Sequence, residues 1–185
     1  MSHPNTFPAY RGQMEYLCLG CGARYDIGEL HYTCPSCGAV FVLVDNTFDE
    51  LKKTSAAQWR TLFDQRAATK NPALRGIFRF YELMAPVLEE EDILFLGEGN
   101  TPIVNSPPAL RTALGLKTAY KNDGQNPSAS FKDRGMACAF SFLKSLIRTK
   151  GWTEVLAICA STGDTSAAAA LYASYVGGAV KSAVI

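Results

Sequence analysis

The amino-acid sequence has no long hydrophobic run, because no apolar stretch approaches the roughly 18–20 residues that a helix needs to cross a bilayer. It also has little excess charge, and its formal net charge of +1 gives no overall preference for nucleic acid or for an anionic membrane surface. Residues 1–13 lack the apolar core of a secretory signal, and we expect them to form a short, flexible lead-in. These absences predict a cytoplasmic protein in which the six cysteines stay reduced.

Three regions of different composition follow the lead-in. Residues 14–45 hold four of the six cysteines between short polar turns. Residues 46–92 favour a helical connector, in which Ser55 and Gln58 have the form of a capping box and Asn71-Pro72 should end a helix. Residues 93–185 alternate strands with helices.

This alternation is typical of an α/β fold. Strand followed by helix favours right-handed crossovers and a parallel sheet, and open sheets of this kind bind ligands at the carboxyl ends of their strands. The predicted strands cover residues 117–121, 155–159 and 180–185, and the predicted helices cover about 133–149 and 163–175.

Four cysteines have the spacing of a metal site. Cys18 and Cys21 form one C-x-x-C pair, and Cys34 and Cys37 form a second pair twelve residues later. Four thiolates on two tight turns suit tetrahedral zinc in a ribbon, and the metal should be structural because four protein ligands leave no open position. Redox dithiols and an iron–sulfur centre are the alternatives.

The cysteine-rich segment has few positive charges. Arg24 is its single arginine or lysine and stands against four carboxylates, whereas a surface that binds phosphates needs clustered lysine and arginine. We therefore expect no nucleic-acid partner, and a ribbon that packs on its own chain or on another protein. His31 is expected to be a surface or packing residue.

Lys132 lies where a loop of small and polar residues, Asn126 to Phe131, meets a predicted helix. A cation is unfavourable at a helix N-terminus, since the helix dipole favours anions there. An isolated lysine in this position would be a solvated surface residue. The alternative is a nucleophilic amine of the kind that forms a Schiff base.

The segment from Asn126 to Gly135, NPSASFKDRG, resembles the lysine motif of fold-type II pyridoxal-phosphate enzymes, and of the threonine synthase family in particular. Three further segments resemble motifs of that family in the same order: GIFRFYELM at 76–84, GEGNTP at 97–102 and ASTGDTS at 160–166. A zinc ribbon precedes the enzyme fold in some members. The resemblance therefore implies a zinc ribbon, a helical connector and part of a tryptophan-synthase-β-like domain.

The resemblance also implies the functional residues. Lys132 would bind pyridoxal 5′-phosphate as a Schiff base and move protons during turnover. Ser161, Thr162 and Thr165 would bind the substrate carboxylate, in agreement with the general attraction of anions to helix N-termini. Asp164 would face the 3′-oxygen of the cofactor.

Two positions depart from the family motifs, whereas Phe131, Asp133 and Arg134 match and would fix the loop. Ala129 replaces the usual glycine, so we expect that position to avoid a positive φ. Asp164 replaces the usual asparagine. Because an ionised aspartate only accepts hydrogen bonds, either Asp164 or the cofactor oxygen would have to keep a proton.

A glycine-rich G-x-G-x-G cradle for the cofactor phosphate is absent from the sequence, as is the downstream Ser or Thr that holds the pyridine nitrogen in the family. Members of the family are also much longer. We therefore expect a truncated enzyme that binds the cofactor weakly and has no turnover alone.

The function implied by the resemblance is the conversion of O-phosphohomoserine and water to L-threonine and phosphate. Its small-molecule partner would be a phosphorylated amino acid, and a homodimer of a full-length protein stays open. The alternatives are a cysteate-synthase-like enzyme, a serine or threonine dehydratase and, from another class, a non-catalytic zinc-ribbon binding module.

Overall fold

The computed structural model describes residues 3–185, so the part of the lead-in at Met1 and Ser2 lies outside the described residues. The strands are Met14–Cys18 (β1), Arg24–Asp26 (β2), Phe41–Asp45 (β3), Ile103–Asn105 (β4), Ala119–Lys121 (β5), Val155–Cys159 (β6) and Val180–Val184 (β7). The α-helices are Phe48–Leu51 (α1), Ala56–Arg66 (α2), Tyr81–Met84 (α3), Pro108–Leu114 (α4), Lys132–Lys150 (α5) and Asp164–Val176 (α6). Among the described residues, no helix has both the length and the apolarity needed to span a membrane.

The cysteine-rich segment forms a three-stranded antiparallel sheet with the order β2-β1-β3. Tyr16 in the central strand lies opposite Tyr25 on one side and Leu43 on the other. The ring of His31 packs edge-on against Tyr25, with 5.1 Å between ring centroids, so the packing role expected for His31 is confirmed. Phe41 completes this small aromatic cluster, and its ring centroid lies 5.1 Å from that of Tyr16.

Helix α2 of the connector begins where the capping box predicts. The backbone N–H of Gln58 donates to Ser55 Oγ at 3.3 Å, and the Gln58 side chain accepts from the backbone N–H of Ser55 at 2.9 Å. Helix α2 ends at Arg66, however, and not at Asn71. Asn71 instead caps the next short 3-10 helix, Pro72–Leu74, by accepting a hydrogen bond from the N–H of Ala73.

A buried ion pair fixes the connector internally. The Arg66 guanidinium donates to both carboxylate oxygens of Glu82 at 2.7 Å, and both side chains are almost completely buried. Removing one partner of such a pair typically costs about 3–5 kcal/mol, because the other charge is left buried without compensation. The pair therefore holds α2 against the segment that contains α3.

The hydrophobic core lies between the connector and the two long helices. The connector contributes Phe78, Tyr81 and Leu88, which are 0–1% exposed, and helices α5 and α6 contribute Phe140 and Tyr172. The rings of Phe140 and Tyr172 stack with centroids 6.4 Å apart, so α5 and α6 lie side by side. Met136, Phe140, Leu143 and Ile147 recur at helical spacing and form the face of α5 that packs on this core.

The strands of the third region do not form one sheet. Strands β6 and β7 pair in parallel, with Ala157 opposite Ser182, as the alternation of strand and helix predicts. Strand β5 instead pairs with β4 in an antiparallel sheet of its own, with Val104 opposite Tyr120. The prediction that the strand at 117–121 joins the parallel sheet is therefore wrong. The reason is the short strand Ile103–Asn105, which supplies a nearer partner in sequence.

The lead-in packs against the connector. Phe7 lies 4.7 Å from the ring of Tyr81, and Arg11 forms an ion pair with Glu89 at 2.9 Å. The N–H of Gly12 donates to the carbonyl of Pro86 at 3.0 Å. These contacts hold the lead-in on the connector, whereas we expected residues 1–13 to be flexible.

Candidate cofactor site and cysteine cluster

Lys132 is the first residue of helix α5 and is partly buried. Its Nζ lies 4.7 Å from the centroid of the Phe131 ring, and its backbone N–H donates to Ser130 Oγ at 3.3 Å. None of the ion pairs within residues 3–185 involves this amine. The lysine is thus placed at the helix start without a carboxylate that would hold it as a structural charge.

The segment before Lys132, residues 122–131, is called the lysine loop here, and residues 97–102 the Gly-Glu-Gly loop. The two loops are joined by Asn126, which is buried. Its Oδ1 accepts the backbone N–H of Gly99 at 2.9 Å, and its Nδ2 donates to the carbonyl of Asp123 at 2.7 Å. Two of the motifs recognised in the sequence are therefore in direct contact.

An ion pair makes a second connection between the same loops. Both nitrogens Nη1 and Nη2 of Arg134 donate to the carboxylate of Asp123, at 3.1 and 2.9 Å. The hydroxyl of Thr101 donates to Asp123 at 2.6 Å, and Arg134 Nη2 donates to Thr101 at 3.3 Å. The hydrogen bond from Arg134, followed by that from Thr101, lowers the pKa of Asp123 from 3.8 to about 2.

Lys121 and Asp123 were not among the residues predicted to form the site. Lys121 Nζ donates to the carbonyl of Thr101 at 2.9 Å, so both residues fix the Gly-Glu-Gly loop. The signal that could have identified Asp123 is its spacing of eleven residues from Arg134 across a loop.

Asp133, in the first turn of helix α5, fixes the lysine loop. It is completely buried, and its Oδ2 accepts the backbone N–H of Ser128 at 2.7 Å. The expectation that Ala129 avoids a positive φ is wrong, since its φ is 60°. The Ala129 N–H donates to the carbonyl of Asn126 at 2.8 Å and closes a tight turn, and the chain then leaves this turn in the left-handed conformation at a residue with a Cβ.

The four residues predicted to face the substrate and the cofactor ring lie around the start of helix α6. Ser161 and Thr162 precede the helix, Asp164 is its first residue and Thr165 its second. Ser161 Oγ accepts the N–H of Gly163 at 3.3 Å, and Asp164 is exposed. The first N–H groups of the helix have no intrahelical acceptor and can bind an anion.

The loop before α6 follows the carboxyl end of β6, where parallel sheets bind ligands. The lysine loop follows β5, which belongs to the separate antiparallel sheet. The two predicted parts of the site are thus carried by adjacent helices, α5 and α6, but not by neighbouring strands of one sheet.

A cavity of about 1160 Å³ lies beside the lysine loop. The Gly-Glu-Gly loop, Pro127 and Arg134 contribute to its wall. Within residues 3–185, the cavity wall contains neither Lys132 nor the four predicted residues near α6. The later part of helix α6 does reach the cavity, through Leu171 and Tyr175, so the cavity is distinct from Lys132 and from the start of α6 only.

The four cysteines predicted to bind a metal converge at one point. Their Sγ atoms all lie within 4.8 Å of one another, with 3.4 Å between Cys18 and Cys37 and 3.7 Å between Cys21 and Cys34. Tetrahedral zinc with bonds of about 2.3 Å places its sulfur ligands about 3.8 Å apart. The donor set and its spacing fit a metal ion.

The two C-x-x-C turns have the same backbone design. The N–H of Gly22 donates to the carbonyl of Cys18 at 3.0 Å, and that of Gly38 to Cys34 at 2.8 Å. Both glycines have a positive φ, 73° and 75°, which an L-residue adopts only at a cost. The glycine that follows each pair is therefore required by the backbone.

The thiols are also electrostatically coupled. A hydrogen bond from the Tyr25 hydroxyl lowers the pKa of Cys34 to about 6. The backbone N–H of Ala39 lowers the pKa of Cys37, but the neighbouring sulfurs of Cys18 and Cys21 raise it to about 12. A bound cation would remove this conflict, because coordinated thiols ionise.

Comparison with known proteins adds a family to this geometry. Residues 94–184 match the family model described as pyridoxal-phosphate dependent enzyme. The chain is 45% identical over 103 residues to a threonine synthase of Halalkalibacterium halodurans, with 56% of this chain and 27% of the relative covered. It is 37% identical over 162 residues to a threonine synthase of Methanocaldococcus jannaschii, with 86% and 35% covered.

A threonine synthase of Synechocystis gives a similar result, 42% identity over 104 residues, with 56% of this chain and 26% of the relative covered. The chain thus spans about a quarter to a third of the length of these relatives. The matched region contains Lys132, the Gly-Glu-Gly loop and helix α6. Residues 94–184 of the chain are thus the part that matches the pyridoxal-phosphate-dependent enzyme family.

Proposed function

We propose that this chain is part of a threonine synthase, which converts O-phosphohomoserine and water to L-threonine and phosphate with pyridoxal 5′-phosphate bound at Lys132. The observation that carries the proposal is the position of Lys132 at the start of α5, without an ion-pair partner in the described chain, in a loop cross-linked by Asp123, Asn126 and Asp133. The similarity to threonine synthases supports the choice of reaction.

Lys132 would hold the cofactor covalently and, when its amine is free, accept and return protons at the substrate carbons. Pyridoxal phosphate supplies an electron sink for the amino-acid carbons when it is bound. The cross-linked loop holds the lysine backbone still, so the amine needs little reorganisation before it reacts. Asp133 is placed to maintain this order, since it is buried and ties Ser128 to the helix start.

Ser161, Thr162 and Thr165 would bind the substrate carboxylate through their hydroxyls and the free N–H groups at the start of α6. Asp164 would face the ring oxygen of the cofactor. Because an ionised carboxylate cannot donate a hydrogen bond, this pair needs one proton. An Asp164→Asn variant supplies a permanent donor, and we expect it to bind the cofactor at least as well as the unmodified chain.

The cysteine cluster would hold a structural zinc ion through Cys18, Cys21, Cys34 and Cys37. Two of the four are buried and two are exposed, and all four are used, so no position is left for substrate. The acidic character of the ribbon supports an enzyme without a nucleic-acid partner. A homodimer of a longer protein is compatible with this proposal.

The test is covalent attachment of pyridoxal phosphate. The 185-residue chain is incubated with the cofactor and reduced with borohydride, and the modified peptide is identified by mass spectrometry. We expect the label on Lys132 and its loss in Lys132→Ala. Lys150→Ala, which removes a lysine at the other end of the same helix, is the matched control and should keep the label. Labelling spread over surface lysines would contradict the proposal.

The substrate is tested by phosphate release from O-phosphohomoserine and from O-phosphoserine, in a protein that contains the whole enzyme domain. Release from the first substrate alone supports threonine synthase. Release from O-phosphoserine supports the cysteate-synthase-like alternative. Absence of release together with absence of labelling at Lys132 supports a non-catalytic ribbon module.

A further inference from the structure

Glu98, in the middle of the Gly-Glu-Gly loop, is a charged residue type with 1% of its surface exposed. Its Oε2 accepts two hydrogen bonds, from the Tyr172 hydroxyl at 2.8 Å and from the backbone N–H of Leu96 at 3.0 Å. Its Oε1 has no hydrogen-bond partner. A buried carboxyl group without a cation partner is costly, so a specific role is needed to account for it.

The surroundings of Glu98 connect all four segments that resemble family motifs. Tyr172 belongs to helix α6, which begins with the hydroxyl residues. Gly76 lies in the first of the four segments, and a Cβ added there would overlap Glu98 Oε1. Gly99, next to Glu98 in the chain, is bonded to Asn126 of the lysine loop.

The loop that carries Glu98 is bound firmly to helix α5 on its other side. Just before the loop, the N–H of Leu94 donates to Ser141 Oγ at 2.9 Å, and within the loop Thr101 accepts a hydrogen bond from Arg134. Within residues 3–185, the bond from Tyr172 to Glu98 is the one hydrogen bond between this loop and α6. The loop and the Glu98 carboxyl group therefore form a hydrogen-bonded connection between α5 and α6, in addition to the direct packing of Phe140 on Tyr172.

We infer that Glu98 is a positioning residue, whose carboxyl group holds the start of helix α6 in a fixed relation to the start of helix α5. The inference rests on the proposed function, because only then do the two helix starts carry the lysine and the carboxylate-binding residues of one reaction. What matters in this role is an acceptor at Oε2, and a full negative charge is not required.

The electrostatics of the site agree with a carboxyl group that acts as an acceptor. Burial raises the pKa of Glu98, and the nearby charge of Asp133 raises it further. The titratable groups facing it are Tyr172 from α6 and Asp133 and Arg134 from α5. A glutamine keeps one carbonyl acceptor for Tyr172 and Leu96, and places an amide donor where the unpartnered Oε1 is found.

The experiment measures backbone hydrogen exchange in the 185-residue chain without cofactor, in Glu98→Ala, Glu98→Gln and Tyr172→Phe. We expect Glu98→Ala to increase exchange about tenfold at residues 128–133 and 163–166, since a buried hydroxyl loses its partner. Glu98→Gln should stay within about threefold of the unmodified chain, which is less than one lost hydrogen bond. Tyr172→Phe keeps the ring but removes the hydroxyl, and it should show the increase in hydrogen exchange at residues 163–166.

Two controls separate positioning from general loss of stability. Leu62→Ala removes a buried side chain from helix α2 and should lower stability without the selective increase at the two helix starts. Glu50→Ala removes an exposed glutamate from α1 and should change neither. The inference is overturned if exchange in Glu98→Ala follows that of Leu62→Ala, or if Glu98→Gln behaves as Glu98→Ala. If Glu98→Ala does not fold, an unchanged exchange rate at 163–166 in Tyr172→Phe overturns it equally.

Borohydride labelling of the same variants adds a functional measurement. We expect labelling at Lys132 to be slowed in Glu98→Ala and retained in Glu98→Gln. Failure of the unmodified chain to be labelled would refute the proposed function but leave the exchange result intact, so the two conclusions are tested separately.

Discussion

The cysteine ribbon and the lysine loop are both built from short turns, but they are held together by different interactions. In the ribbon, four sulfurs converge while many apolar side chains of the surrounding segment stay exposed, including Leu19, Val40 and Leu43. The lysine loop is held by hydrogen bonds and by the pair of Asp123 with Arg134, next to the main core. The ribbon should therefore depend on a metal ion, and the loop on charge and burial.

The largest effect is expected when the metal is removed. A structural zinc site contributes about 10–16 kcal/mol of apparent binding energy to folding, so chelation or Cys34→Ser should unfold the ribbon. Zinc content and hydrogen exchange at β1 and β3 measure this. Cys138→Ser, a change of the same type in helix α5, should keep both the zinc and the protection. Unchanged ribbon protection after complete removal of metal would show that the sulfur cluster is not what holds this segment.

A smaller and more local effect is expected from Asp123→Asn. The amide cannot accept both Arg134 hydrogen bonds, and the hydroxyl of Thr101 loses its charged partner. Misplacement of a catalytic group by about 1 Å can cost about a hundredfold in rate, so labelling at Lys132 should slow by about ten- to a hundredfold while the ribbon keeps its zinc.

The matched control for this change is Asp64→Asn. It removes the carboxylate of a comparable pair with Arg79, in which Asp64 is 79% exposed. Exposed pairs contribute about 0–1 kcal/mol, and labelling at Lys132 should not change. Equal labelling rates in the two variants would mean that the Asp123 pair does not position the lysine.

Acid should separate the two regions by the order in which they open. The pKa of Asp123 is lowered from 3.8 to about 2, so its contribution is complete above about pH 4 and is lost as the pH falls toward 2. Metal-bound thiolates must stay deprotonated, and acid should release the metal at a higher pH. Residue-resolved hydrogen exchange should show that the ribbon opens first as the pH falls. The later opening of the lysine loop should be absent in Asp123→Asn. Opening of the lysine loop before the ribbon would reverse this assignment.

The same contrast shows what the sequence could predict. The ribbon was predicted from spacing alone, because two C-x-x-C pairs impose their geometry locally through Gly22 and Gly38. The lysine loop was located by its resemblance to a family, but its partners were not. Glu98 contacts Tyr172, which lies 74 residues further along the chain, and tertiary packing brings the two together. Asp123 contacts Arg134 only because the loop between them folds back on helix α5. The antiparallel pairing of β5 was missed for a similar reason, since β4 has only three residues.

The smallest effect is expected at Ala129, where the lysine loop is strained. A residue with a Cβ in the left-handed region costs about 1–2 kcal/mol, and glycine loses about 0.5–1 kcal/mol of additional entropy on folding. Ala129→Gly should therefore stabilise the chain slightly, by about 0.5 kcal/mol in denaturant unfolding. Ala139→Gly, at an exposed position in the middle of helix α5, should instead destabilise the chain by about 1 kcal/mol. If both variants are destabilised equally, the loop does not hold residue 129 at a positive φ in solution, and the close turn that presents Lys132 is looser than its hydrogen bonds indicate.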